Sequence, residues 1–485
     1  MAPDLLRLRS VHHPAQVPML VDGVGSITYA EWADRSDSVA HGLVRLGVRR
    51  GDRVGLLFGG MDWLDYAVAY FAVLKAGGTA VHLAASLPAP ELDRRLAQCG
   101  PVGVVCGAGA DAPSGFAGWT TSVDALDRGD RTPVQVEIGP DDIADIIFTS
   151  GTTGPAKAFS NPHGNLSFGR GPANVASFDG ASPLLAPMPL GTPSSAGTVG
   201  MFALTTSSTV VLCRVDDPER MAELIAGHRI GSVMLTPWIA MRMAAARVHE
   251  RHDLSTVTTI GIASAPLPAR IATELLTMMP NAVISTAYAQ GEAVPAVVLN
   301  TYDPARPRSV GRPGPGTELR VVDEQGRQVE QGRIGEIWLR AAAPKRLYLD
   351  PELNRQVHAD GWTRTRDLGY LGPDGDLYLF DRGTDVIRRH GELVSSIEVE
   401  EVLYRHPAVA QAAVIGVPDP EAGQAVVAVV VLTDPEAESA LPDFLAERLA
   451  PHQRPSAVHV VADLPRGITG KVLKHRLRPV YSARP

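Results

Sequence analysis

The sequence predicts an α/β protein. It has a large N-terminal domain of layered α/β subdomains, then a β-rich stretch, then a small α+β domain. Three observations predict this. Apolar strand-like runs alternate with helix-like periodicity over the first 300 residues or so, which favours layered sheets and helices. From about 309 the rhythm changes to closely spaced strands around turn residues. After Asp381 and Arg382 a new helix-and-strand pattern opens and fills a tail of about 100 residues, long enough for a domain.

Residues 28–46 (TYAEWADRSDSVAHGLVRL) repeat apolar positions at three and four, with Thr28 as N-cap and Gly47 as the stop. A short buried strand is expected at 53–58 (RVGLLF), a helix at 65–75 ended by Gly77 and Gly78, and another strand from 81. Strands follow at 102–106, 143–148, 209–213 and 232–236. In the β-rich stretch, 318–322 and 336–340 read as strands around the turn DEQGRQ. The tail reads as helix 397–405, strands 409–416 and 425–432, loop 435–440, helix 441–449 and strand 457–461. Boundaries are expected at 1–380 for the N-terminal domain, 381–385 for a hinge and 386–485 for the C-terminal domain.

Composition narrows the classes. The chain has 485 residues, 45% hydrophobic and 20% charged, with a net charge of −8. That is a globular composition with no basic field for nucleic acid or anionic membrane. Cys99, Cys106 and Cys213 have no metal-ligand spacing, and reduced thiols in a cytoplasmic protein are expected. The opening MAPDLLRLRS carries charges throughout, so no signal peptide is expected. The apolar run at 425–432 (AVVAVVVL) is too short to span a bilayer.

The densest chemical signal is 148–158 (FTSGTTGPAKA), directly after the apolar run 143–148. Thr149, Ser150, Thr152 and Thr153 supply hydroxyls, Gly151 and Gly154 supply backbone freedom, and Lys157 supplies a cation. Glycine lets backbone N–H groups approach an anion, and hydroxyls and ammonium then hold phosphate oxygens. The loop lacks the Gly-Lys-Ser/Thr ending of a Walker loop. It points to a polyphosphate site without naming the reaction.

This loop resembles the phosphate-binding signature of the adenylate-forming superfamily: acyl- and aryl-CoA synthetases, peptide-synthetase adenylation domains and luciferases. Ala156 and Ala158 depart from the signature, where proline and glycine are usual. The likeness runs along nearly the whole chain, including 161–166 (NPHGNL). By resemblance, 263–267 (ASAPL), with Ala265, lies along adenine. In 287–292 (AYAQGE), Tyr288 stacks on adenine and Glu292 holds Mg²⁺. In 362–369 (WTRTRDLG), Asp367 accepts the ribose hydroxyls. In 381–391 (DRGTDVIRRHG), Arg382 contacts ribose or phosphate, Thr384 is the pivot and Gly391 lines a thiol tunnel. In 464–473 (LPRGITGKVL), Lys471 is the catalytic lysine.

The resemblance implies an AMP-forming ligase with ATP as substrate and Mg²⁺ as cofactor. It activates a small-molecule acid to an acyl-adenylate and passes the acyl group to the thiol of CoA or of a phosphopantetheine carrier protein. Lys157 and Lys471 would converge on one magnesium-bound triphosphate. Candidate acyl-pocket residues are Thr192, Ser194, Ala263, Ala287 and Gly291. They are small and weakly polar, which suits an aryl or short acyl group. The stretch 187–197 (PMPLGTPSSAG) lacks the family's aromatic-His gate and the aspartate that amino-acid-activating domains use.

Gly291 stands where the family has a threonine, and Arg366 stands where it has a glycine before the aspartate. These departures keep two alternatives open. One is an AMP-forming ligase with an amine acceptor, or one activating nitrite for diazotisation of an aryl amine. The other is a non-catalytic nucleotide-binding protein.

Overall fold

The computed structural model describes residues 1–149, 154, 156–175 and 181–482. Two large sheets form the body. One has seven strands. Five are parallel: Trp119–Thr121, Gly103–Cys106, Arg53–Phe58, Thr79–Ala84 and Ile143–Phe148. Ala158–Pro162 turns back antiparallel on Ile143–Phe148, and Leu347–Tyr348 closes that edge.

The other sheet has 14 strands. Its parallel half runs from Met19–Val21 through Val210–Leu212, Leu184–Leu185, Ser232–Leu235 and Thr259–Ile262 to Val283–Tyr288. Its antiparallel half holds Thr317–Val322, Gly335–Ala341, Trp362–Leu371 and Leu377–Arg382. Ser309–Pro313 joins the halves, pairing with Val298–Thr301 on one side and Leu377–Arg382 on the other. The β-rich stretch expected from 309 is therefore hydrogen-bonded to the parallel sheet.

Local signals explain the first elements. Thr28 caps Tyr29–Arg45: its hydroxyl accepts from the Glu31 amide at 3.2 Å, and the Glu31 carboxylate accepts from the Thr28 amide at 2.8 Å. This reciprocal pair satisfies two amides that a helix start leaves open. Trp32, on that helix, is fully buried and donates its indole N–H to the Ala67 carbonyl at 3.0 Å. Ala67 lies on Trp63–Lys75, whose apolar residues are buried all round, as expected of a helix enclosed on every side.

A separate five-stranded sheet begins at Ile387 and contains Ile387–Arg389, Glu392–Val394, Val409–Asp419, Gly423–Leu432 and Ala457–Val460. Both of its faces are covered. Val426, Ala428 and Val430 pack with Val399, Leu403 and Leu445. Val427 and Val429 pack on the other side with Leu464, Leu477 and Tyr481. Two-sided burial explains the unbroken apolar run of that strand.

Two local expectations are corrected. Pro435–Ala440 is a 3₁₀ helix, started by Asp434, whose carboxylate accepts from the Glu436 amide at 3.0 Å. The following helix is Leu441–Ala446 and stops short of 449; beyond it the Arg454 guanidinium holds the carbonyls of Leu449 and Ala446.

Candidate active site

A cleft of about 1370 Å³ is lined by residues of the two large sheets and by residues 466–476 of the C-terminal unit. Strand Ile143–Phe148 runs into it, and the return strand from Ala158 fixes the base of the glycine-rich loop. The Thr149 amide donates to the Lys157 carbonyl at 2.9 Å, and the Lys157 amide donates to the Thr149 hydroxyl at 3.1 Å. Lys157, Thr149 and Gly154 line the cleft. Ser150, Gly151, Thr152 and Thr153 lie outside the described residues.

The loop has a brace that the sequence did not reveal. Arg94, on helix Ala89–Cys99, donates to the Ala156 carbonyl at 2.9 Å. Glu91 holds Arg94 at 2.8 Å and Arg95 at 2.7 Å, and Arg95 lies over the Phe148 ring at 4.4 Å. The two guanidinium hydrogen-bond networks hold the Glu91 carboxyl down at about 2.

On the opposite wall, strand Val283–Tyr288 leads to Ala289, Gln290, Gly291 and Glu292, all lining the cleft. The Tyr288 hydroxyl and the Gln290 amide both donate to Asp367 Oδ2, at 2.9 and 2.8 Å. Gln290 also donates to the Thr365 carbonyl at 2.7 Å. Burial raises the Asp367 carboxyl above the usual aspartate range, against the pull of Arg382 and these donors.

Glu292 accepts a hydrogen bond from the Tyr348 hydroxyl. Arg346 donates to the Gly291 carbonyl at 3.2 Å and to Asn161 and Asn165 at 3.2 and 3.0 Å. Gln290, Tyr348 and Arg346 were missed in the sequence because their roles depend on contacts between distant strands.

Gly291 has a packing reason. A Cβ there would meet the Phe159 ring at 2.9 Å, so threonine fits only if that ring shifts. Gly191 has another: with φ of +72°, a Cβ would lie 2.3 Å from the Ala84 amide nitrogen. A bulky gate residue is therefore excluded at 191. Beside it, Thr192 caps the short helix Pro193–Gly197. Its capping partner Ser195 lies 3.3 Å from the Tyr66 hydroxyl, which lies 2.9 Å from His82 Nδ1.

The C-terminal unit contributes a hairpin. Arg466 and Val472 bridge, the Gly467 amide donates to the Lys471 carbonyl at 2.9 Å, and the Gly470 amide donates to the Gly467 carbonyl at 2.9 Å. Gly470 has φ of +79° and abuts Trp238: a Cβ would meet it at 2.9 Å. This seats Lys471 in the cleft with Arg382 and Thr384. Burial and the Arg382 charge push the Lys471 ammonium down to about 7, with Asp367 and Asp385 opposing.

Of the residues singled out in the sequence, the cleft gathers Thr149, Gly154, Lys157, Thr192, Ser194, Gly291, Glu292, Asp367, Arg382, Thr384 and Lys471. Ser264 lines it with φ of +83°, whereas its neighbours Ala263 and Ala265 do not. Ala287, which is exposed, Tyr288, whose hydroxyl is turned onto Asp367, and Gly391 are not among the lining residues. No cluster of three metal-ligating side chains occurs among the described residues. A single carboxylate fits Mg²⁺, which usually keeps waters and takes its other ligands from phosphate.

Such a seam, with cations from both ends of one chain facing a buried carboxylate, defines an enzyme of the adenylate-forming superfamily. More narrowly, the chain belongs to the AMP-binding enzyme family: that family's model matches residues 8–349, and the AMP-binding enzyme C-terminal domain model matches 398–471. A feruloyl-CoA synthase from an Amycolatopsis species is 32% identical over 469 residues, 94% of each chain. Among solved structures, o-succinylbenzoate CoA synthetase from Bacillus subtilis, in complex with its acyl-adenylate intermediate, superposes with a TM-score of 0.85 at 26% identity, covering 98% of each chain. An amide bond synthetase from Marinactinospora thermotolerans superposes with a TM-score of 0.86 at 27% identity, covering 99% of this chain and 100% of that one.

Proposed function

We propose that the protein activates a small aryl or short acyl carboxylic acid with ATP and transfers the acyl group to the thiol of CoA. One observation carries this reading: Lys157 and Lys471 line one cleft with Glu292 and Asp367 between them in the chain. The chief barrier is repulsion between carboxylate and triphosphate, so positioned cations supply the catalysis. Lys157 and the loop hydroxyls hold the phosphates, and Asp367 takes the ribose hydroxyls. Glu292 would hold Mg²⁺, which neutralises phosphate charge when bound.

A carboxylate oxygen attacks the α-phosphorus, the bond to the β-phosphate oxygen breaks, and pyrophosphate leaves. Lys471 bridges the attacking oxygen and the α-phosphate as charge builds. The thiolate then attacks the acyl carbon, the C–S bond forms, and AMP leaves with the C–O bond electrons. Between the steps the C-terminal domain turns about residues 381–385, withdrawing Lys471 and bringing Gly391 to the thiol path. The match to a CoA synthase at 32% identity supports CoA over a carrier protein as the acceptor.

A second reading, an amine acceptor, is favoured by the likeness to an amide bond synthetase. One experiment separates them: a panel of acids assayed for pyrophosphate and AMP separately, with CoA, with amines and with neither. Thiol-dependent AMP release supports the first reading; amine-dependent release supports the second. Cys99, Cys106 and Cys213 are free thiols, and a cytoplasmic setting is part of this reading. Among the described residues no helix is long and apolar enough to cross a membrane.

A further inference from the structure

Arg366 is the departure that the mechanism above leaves unused. It sits in a bulge: strand Trp362–Leu371 pairs Arg364 with Trp338 and Leu368 with Glu336, so Thr365, Arg366 and Asp367 face a single residue, Ile337. Bulges re-aim side chains and recur beside active sites. Arg366 takes φ of +59°, a conformation glycine adopts without strain and arginine does not. Its carbonyl accepts the Gly383 amide at 2.8 Å, and its own amide donates to Glu336 at 3.1 Å, so the backbone is fixed from both sides.

The side chain lines the cleft together with Lys157, Glu292 and Tyr348. Tyr348, which shares the cleft lining with it, is the donor to Glu292. Its guanidinium donates to the neutral Gln356 at 3.0 Å, and among the described residues no carboxylate lies within ion-pair distance of it. A guanidinium without an acidic partner, beside a cation-binding carboxylate, suits an anion with several oxygens.

We propose that Arg366 is a second cation for the β- and γ-phosphates and for the pyrophosphate they become, working with Lys157. The proposal rests on the nucleotide reading above and adds a residue to it. The test is calorimetric binding of Mg·pyrophosphate and of AMP to the full chain. Arg366→Gly relaxes the backbone and removes the charge. It is expected to weaken Mg·pyrophosphate about ten- to a hundredfold, the worth of charged hydrogen bonds. It should leave AMP within about twofold, because AMP lacks those phosphates. Its Tm should rise, since the φ strain is gone.

Arg366→Lys is expected to recover most of the pyrophosphate affinity. Gln356→Ala, which removes only the neutral partner, is expected to leave it unchanged. Three results would overturn the proposal: unchanged pyrophosphate binding in Arg366→Gly, an equal loss of AMP, or the same loss in Gln356→Ala. Wild-type protein that binds neither ligand would sink the nucleotide reading itself.

Discussion

Lys471 and Lys474 lie one helical turn apart in sequence, and the molecule treats them in opposite ways. Lys474 is met by Glu400 at 2.7 Å and by the Ser396 hydroxyl at 2.7 Å. Burial alone would lower it, but Glu400, Asp381 and Asp385 together hold it above the usual lysine range. Lys471 has no carboxylate within ion-pair distance among the described residues, and it is pushed down to about 7. One cation completes a structure; the other, in the proposed mechanism, is kept for an anion that the protein itself does not supply. A buried charge with partners is cheap to keep; one without them signals a missing ligand.

Substitution separates the two roles. Lys474→Ala leaves Glu400 buried and unpaired and is expected to destabilise the fold by about 3–5 kcal/mol, read by chemical denaturation. Lys471→Ala is expected to keep the fold and slow carboxylate-dependent pyrophosphate exchange by about 10²–10³-fold, the usual cost of losing one transition-state charge contact. If Lys471→Ala instead unfolds the C-terminal unit, the contrast between the lysines is gone.

The wall facing Lys471 sharpens the comparison at smaller cost. Gly291→Thr restores the family's hydroxyl but drives a methyl into Phe159. It is expected to cost about 1–3 kcal/mol of stability by overpacking, with Phe159→Val in the same chain recovering most of it. A double variant no more stable than Gly291→Thr alone would show that the two positions are not coupled.

The smallest signal is a proton. With Lys471 at about 7, the empty cleft holds it largely neutral at pH 8. An arriving triphosphate favours the charged form, so MgATP binding at pH 8 should take up a proton fraction from buffer. At pH 6 the lysine is already charged and uptake should vanish. Calorimetry in buffers of different ionisation enthalpy reads this, and Lys471→Met should abolish it.

What the sequence made legible was local. Thr28 announced a helix start, and the run at 425–432 announced a strand; the Glu31 half of the cap and the burial on two faces came from the structure. Lys157 was legible in its glycine- and hydroxyl-rich loop, and Glu292, Asp367 and Lys471 only through the resemblance of their short runs to the family's motifs. What escaped were contacts between segments far apart in the chain: Arg94 on Ala156, Arg346 on Gly291, Tyr348 on Glu292. None of these has a period or a neighbour in sequence to betray it. Gly291 and the gateless stretch 187–197 read only as departures from the family, and packing of Gly291 on Phe159 and of Gly191 on Ala84 gives them a steric reason. The 3₁₀ turn at Pro435–Ala440 was read as a loop because proline and polar residues suit both.

The contact between Gly470 and Trp238 gives the protein an optical gauge of its own. The indole has the hairpin against it and the Arg242 guanidinium over its ring at 4.9 Å. Any excursion that lifts the hairpin away admits water to that ring and shifts its emission to the red. The chain has six tryptophans, so the difference spectrum against Trp238→Phe isolates this one. The seating of Lys471 can thus be followed in real time, without a label, while substrates are mixed in.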